Sequence, residues 1–188
     1  MSDAAKAGVA ARFSFAFSGA YMSGIPATVT STPESFTPAF TRVQQEGEAD
    51  CAFACIAMIV GKTLDEVRTA AIEAFRFPAH PPRWITEDLI CSLLAHYQYV
   101  ATVYKEFTSF SELPPLAILL TDYLPELEMG RHVIYHRGRA SHDPNVNVHY
   151  IIDPAYWIRP QDHVRAALPP TAYFIGIHAM QQKAKTSK

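Results

Sequence analysis

Cys51 stands where a polar run, Gln45-Glu46-Gly47-Glu48-Ala49-Asp50, gives way to the apolar run from Cys51 to Val60. A thiol attacks poorly until it loses its proton, and the first turn of a helix favours the thiolate through its free amides and dipole. Acyl chemistry at such a thiol needs three further parts. A histidine must take and return the proton, a polar group must hold that imidazole in orientation, and donors must receive the oxyanion of the tetrahedral intermediate. Candidates for each are present: His132 at the opening of an apolar strand, Asp153 at the close of another, and Gln45 with its side-chain amide. Composition alone also fits a plainer role, with Cys51 and Cys55 as two small hydrophobes on one buried helix.

The elements that must position these groups follow from pattern. Residues 51–60 are apolar on all sides and stop at Gly61, which describes a buried helix closed by a residue able to take positive φ. Thr63 and Glu66 make a capping box ahead of Val67, Ala70, Ala71 and Ala74 at helical spacing, and Thr86 caps a third helix through His96. Beyond Tyr97 the β-branched and aromatic stretches Tyr99–Tyr104, Leu116–Thr121, His132–His136, His149–Ile152 and Tyr173–Ile177 predict strands, antiparallel because most of the links between them are too short for helical crossovers. Helices followed by strands is the α+β pattern. One catalytic domain over 41–180 is expected, with an extended, partly mobile lead-in at 1–40 and a frayed polar tail at 181–188.

Composition narrows the partners. The chain has 188 residues, 49% of them hydrophobic, and a formal net charge of −2, so it can bury a sizeable core and has no basic footprint for nucleic acid. No apolar run approaches the roughly 20 residues of a membrane span. Phe13, Phe15 and Phe17 alternate as in a strand, and the stretch around them is too short and too broken by serines for a signal peptide. Three cysteines, an odd number, argue against a disulfide framework and for a reducing, cytoplasmic setting, with signal-independent export also compatible. Cys51 and Cys55, on one buried helix, would need two further zinc ligands from elsewhere, and no cofactor or metal is expected.

The run from Gln45 to Gly61, QEGEADCAFACIAMIVG, resembles the opening motif of the bacteriocin-processing peptidases. These are papain-like enzymes that cut double-glycine leader peptides and are commonly fused to export transporters. In that family a glutamine stands six positions before the catalytic cysteine, an aspartate precedes it, a second cysteine often follows four residues on, and a glycine closes the helix. Gln45, Asp50, Cys51, Cys55 and Gly61 correspond. His132-Val133-Ile134-Tyr135 and Ile151-Ile152-Asp153-Pro154 resemble the family's histidine strand and aspartate-proline, so the similarity spans roughly 42–158. The resemblance implies a papain-like fold with Cys51 as nucleophile, His132 as general base, Asp153 as orienting acid and Gln45 as oxyanion donor. Ala52 departs from the usual glycine, the separation from His132 to Asp153 is long, with 138–147 expected as an enlarged hairpin loop, and nothing in the chain resembles a transporter.

His149 also opens an apolar strand. Four residues before Asp153, it would lie about 13 Å along the strand from that carboxylate, which favours His132. His136 and His142 are expected in or beside the solvated loop, Cys91 in the core, and Tyr156-Trp157 as packing or as an aromatic neighbour of the histidine. The function expected is a cysteine peptidase or isopeptidase acting on a peptide or protein through a thioester. The same first residues would serve a deamidase or acyltransferase, and a peptide-binding domain that has lost turnover is the third possibility.

Overall fold

The structure is a computed structural model and describes residues 37–80, 84–140, 143, 145–167 and 169–180. The alternating Phe13–Phe17 segment, most of the lead-in, Pro81, Pro82, His142 and the 181–188 tail lie outside these residues.

Helix α1 (Cys51–Val60) is buried from Cys51 through Ile59, as its all-round apolar sequence requires, and ends where Gly61 takes φ 67° and returns its N–H to the Ala57 carbonyl. Helix α2 (Leu64–Phe75) starts on the capping box: Thr63 Oγ1 accepts from Glu66 N, and Glu66 Oε2 accepts from Thr63 N at 2.8 Å. Helix α3 (Glu87–His96) is capped by Thr86, whose side chain accepts from Leu89 N. The three helices pack on one another, and α1 rests on the sheet.

The strands are β1 (Tyr99–Ala101), β2 (Lys105–Glu106), β3 (Leu116–Leu124), β4 (Met129–Arg139), β5 (Asn147–Ile152), β6 (Val164–Arg165) and β7 (Thr171–Ala179). They form a seven-stranded sheet in the order β1-β7-β3-β4-β5-β6, with β2 also paired to β7. Every pairing is antiparallel. The described residues are therefore α+β, three helices against an antiparallel sheet.

Register decides which side chains meet α1. Ile175, Ile118, Ile134 and Ile152 are direct cross-strand partners on β7, β3, β4 and β5, all fully buried, and they form one core with the helices. The adjoining row of Phe174, Leu119 and Val133 points the other way, with Tyr135, Ile151 and Leu113, into a second cluster covered by Phe107 and Phe110. This is the two-residue alternation of a pleated sheet buried on both faces.

Three expectations change in detail. The stretch Tyr99–Tyr104 is not one strand: Thr102 Oγ1 accepts from Gly176 N at 2.9 Å, so a side chain takes a ladder bond and the backbone leaves the sheet before Tyr104. Strand β4 begins three residues before His132 and runs to Arg139, which shortens the expected 138–147 loop, since Gly138 and Arg139 pair with Val148 and Asn147. Strand β6 has too short a pattern to be read from sequence. Among the described residues no helix is long and apolar enough to cross a membrane.

Thr63→Ala removes one half of the α2 cap and should lower stability by about 1 kcal/mol in urea denaturation. An unchanged midpoint would show that the cap is not holding the helix start.

Candidate functional site

Backbone contacts from the segment before α1 fix its start. Gln45 N donates to Pro154 O at 2.9 Å, and the Arg42 guanidinium donates to Asp153 O at 3.0 Å and Ala155 O at 2.6 Å, laying residues 42–45 along the chain that follows β5. A 3₁₀ turn, Glu48–Asp50, then leads into α1. Asp50 is almost fully buried; its Oδ2 accepts from Gly47 N at 2.7 Å and from the Arg68 guanidinium of α2 at 2.5 Å. A Cβ at position 47 would come within 3.0 Å of that oxygen, so the glycine permits the turn to close. The aspartate before Cys51 thus ties the turn to α2.

Cys51 Sγ lies 3.3 Å from His132 Nδ1. The other ring nitrogen, Nε2, is 2.5 Å from the hydroxyl of Tyr104, whose ring lies end to end with the imidazole, centroids 6.3 Å apart and planes inclined by 27°. Both side chains line a cleft of ≈ 1050 Å³. Trp84 and Ile85 ahead of α3, Tyr123 of β3, Leu127 and Met129 of the β3–β4 hairpin, and Tyr173 of β7 supply apolar walls. Gly130 lets the hairpin close, because a Cβ there would meet Leu120 Cδ1 at 2.8 Å and Thr121 O at 2.9 Å.

Burial dominates the protonation of the pair. It pushes the Cys51 thiol up, against the backbone amides of His132, Ala52 and Cys51 and the charge of Arg131, which pull it down. It lowers His132 to about 4. Burial thus acts against the charged form of both groups. Helix-start stabilisation of a thiolate, expected from sequence, is outweighed by desolvation.

Asp153 does not reach His132. Its Oδ1 accepts from Arg131 at 3.1 Å and Ala155 N at 3.0 Å, and its Oδ2 from Arg165 at 3.0 Å and Arg131 at 3.4 Å. The pleat explains this. His132 shares the phase of Ile134 on the helix side, whereas Asp153 follows β5 in the phase of Ile151 and Val133, which turn to the opposite face. Arg131, next to the histidine and so on the other phase, takes the carboxylate and also donates to Asp122 at 2.8 Å. Gln45 is buried; its Nε2 donates to Gly47 O at 2.9 Å, its Oε1 has no hydrogen-bond partner among the described residues, and it is not among the residues lining the cleft.

The remaining candidates fall as follows. His149 pairs with Arg137 on β5 and stacks on Tyr135, away from Cys51. His136 is not in a solvated loop: it lies within β4, half-buried, with Nδ1 3.0 Å from the Tyr150 hydroxyl. Ala52 turns its methyl into the core rather than the cleft. Cys55 is fully buried beneath Cys51, and Cys91 is only partly buried, its thiol directed to Thr102 O. Tyr156 and Trp157 are about half exposed, and Trp157 lies under the Arg131 guanidinium at 5.4 Å rather than beside His132. Among the described residues no three His, Cys, Asp or Glu side chains converge as a metal site would require. Tyr104 and the arginines at 42, 68, 131 and 165 were not legible as site residues, since each acts through a partner distant in sequence.

No protein-family model matches the chain, and no curated protein matches its sequence.

Because the folded imidazole titrates near 4 and an ordinary one near 6.5, the unfolded chain takes the proton first as pH falls. Stability from the neutral histidine is fully present above about pH 6.5 and is lost toward pH 4, to an extent of up to about 3 kcal/mol. Urea midpoints measured from pH 7.5 to 4.5 should fall more steeply for the wild type than for His132→Gln. Parallel curves would contradict a buried neutral imidazole.

Proposed function

We propose that the chain is a cysteine hydrolase of the papain-like kind, a peptidase or isopeptidase in which Cys51 attacks and His132 moves the proton. The observation that carries this is the 3.3 Å approach of Cys51 Sγ to His132 Nδ1 in a large, apolar-walled cleft. A nucleophile at the start of a buried helix, with its base on a strand of an antiparallel sheet beneath, supports the papain-like comparison, as does the motif from Gln45 to Gly61.

In this mechanism a scissile carbonyl enters the cleft above Sγ. The thiol proton passes to Nδ1 as sulfur bonds to the carbonyl carbon, so charge separation is created only during attack. The tetrahedral intermediate collapses when the imidazolium returns that proton to the leaving amine, and a thioester on Cys51 remains. Water, deprotonated by the same nitrogen, then releases the acid and restores the thiol. Gln45 retains a second Nε2 hydrogen beyond the one given to Gly47 O, and in this proposal a reorientation of that amide serves the oxyanion. Asp153 enters as the anchor of Arg131 and Arg165.

An intact thiol–imidazole pair favours turnover over a pure binding role. Amide deamidation and acyl transfer use the same thioester, and the product distinguishes them: cleavage yields two fragments, deamidation a one-dalton shift in an intact chain. Incubation with a pool of unstructured peptides, read by mass spectrometry, should give cleaved products that vanish with Cys51→Ala. His132→Ala should lower kcat/KM by about 10²–10⁴, and His149→Ala should leave it within about twofold. Cleavage surviving Cys51→Ala would sink the proposal.

A further inference from the structure

The group that holds the catalytic imidazole in this chain is a phenol. We propose that Tyr104 is the positioning residue of His132, its oxygen accepting the Nε2–H of a neutral imidazole where a carboxylate was expected, and that Asp153 serves the scaffold through its arginines. This inference rests on the Cys51–His132 pair being the reacting pair.

The tautomer follows from the chemistry. A neutral imidazole has one N–H and one lone pair. To take the thiol proton, the lone pair must sit on Nδ1, which faces Sγ at 3.3 Å. The hydrogen is then on Nε2, and the atom facing it is the Tyr104 oxygen at 2.5 Å. The reverse tautomer, with a phenol O–H donating to Nε2, would aim an N–H at the sulfur and leave no base. Holding the first tautomer is therefore what an orienting group must do here.

Asp153 has no capacity left for that task. Each of its oxygens already accepts two N–H donors, from Arg131 and Ala155 on one and from Arg131 and Arg165 on the other. Reaching His132 would break contacts with two guanidinium groups at a carboxylate fully removed from solvent. Tyr104, by contrast, is itself fixed. Its backbone N–H donates to Glu87 Oε2 at 2.7 Å in the first turn of α3, and its ring meets Tyr173 edge-on at 6.3 Å. The backbone departs from the sheet at Thr102, which frees Tyr104 to turn toward the cleft.

A phenol differs from a carboxylate in a way that can be measured. It orients the ring without supplying the negative charge that stabilises an imidazolium, so the pair rests as thiol and imidazole and separates charge only when a carbonyl is attacked. Burial, which keeps the Tyr104 phenol above its usual range, accords with this.

The test uses the full chain and two readouts. Alkylation of Cys51 by iodoacetamide, followed by peptide mapping from pH 5.5 to 10.5, should show a neutral-pH plateau from imidazole assistance and a rising limb where hydroxide forms the thiolate. Tyr104→Phe should lower the plateau about tenfold, the equivalent of one hydrogen bond, and leave the alkaline limb within about twofold. Asp153→Asn should leave both within about twofold while lowering the melting temperature. A plateau unchanged in Tyr104→Phe, or lowered as far by Asp153→Asn, overturns the inference. If His132→Ala removes the plateau and Tyr104→Phe does not, the failure is that of Tyr104 alone. A wild type with no plateau overturns both the inference and the reacting pair. Independently of any variant's folding, ¹⁵N correlation spectra of the wild type at pH 7 should show His132 as the Nε2–H tautomer; the Nδ1–H form would overturn the assignment.

Discussion

Burial of α1 against the isoleucine row of the sheet sets the terms for the rest of the molecule. Ile175, Ile118, Ile134 and Ile152 stand side by side across four strands, and the apolar surface of α1 lies over them. That contact places the first residue of the helix over β4, two residues along from Ile134, where His132 shares the same face. The core and the candidate site are thus one piece of packing. The desolvation that stabilises the helix also raises the thiol and lowers the imidazole.

A pair in which charge is disfavoured is consistent with what surrounds it. The fully buried carboxylate nearby, Asp153, is neutralised by Arg131 and Arg165 rather than by the histidine, and the same residue's carbonyl is held by Arg42. Removing a partner from a buried charge is more damaging than removing both, so these arginines are structural necessities once Asp153 is in place. Their geometry joins residues 42–45, β4 and β6 around the end of β5. The turn carrying Asp50 repeats the device on a smaller scale, with Arg68 of α2 as the counter-ion. Two buried aspartates, each satisfied by arginine and backbone, flank the Cys51–His132 pair, where burial disfavours charge on either group.

Much of this was legible in the chain. The three helices, their caps at Thr63 and Thr86 and the stop at Gly61 follow from local chemistry acting within a few residues, and local chemistry is what a sequence displays most directly. The antiparallel strands followed from alternation and short links. The proximity of Cys51 to His132 was approachable because a thiol at a helix start and a histidine on a strand are each visible in their own context. Asp153 shows where such inference stops. Whether it faces His132 or Arg131 depends on the phase of β5 against β4, and a single-residue difference in register reverses the face. Tyr104 was hidden for a related reason, since its position depends on Thr102 taking over a ladder bond from the backbone. The depth of burial at Cys51, which decides the protonation state, is a property of the assembled core and has no local signature.

We propose that Cys51, assisted by His132, performs acyl transfer in this cleft. Its most direct test is to mix the full chain with excess p-nitrophenyl acetate, follow nitrophenolate release, and map the acetyl group after acid quench. Acyl transfer by this pair should give a burst of about one equivalent with the acetyl group on Cys51, followed by slower turnover that depends on His132. Acetylation confined to surface lysines or to Cys91, with no burst, would contradict it.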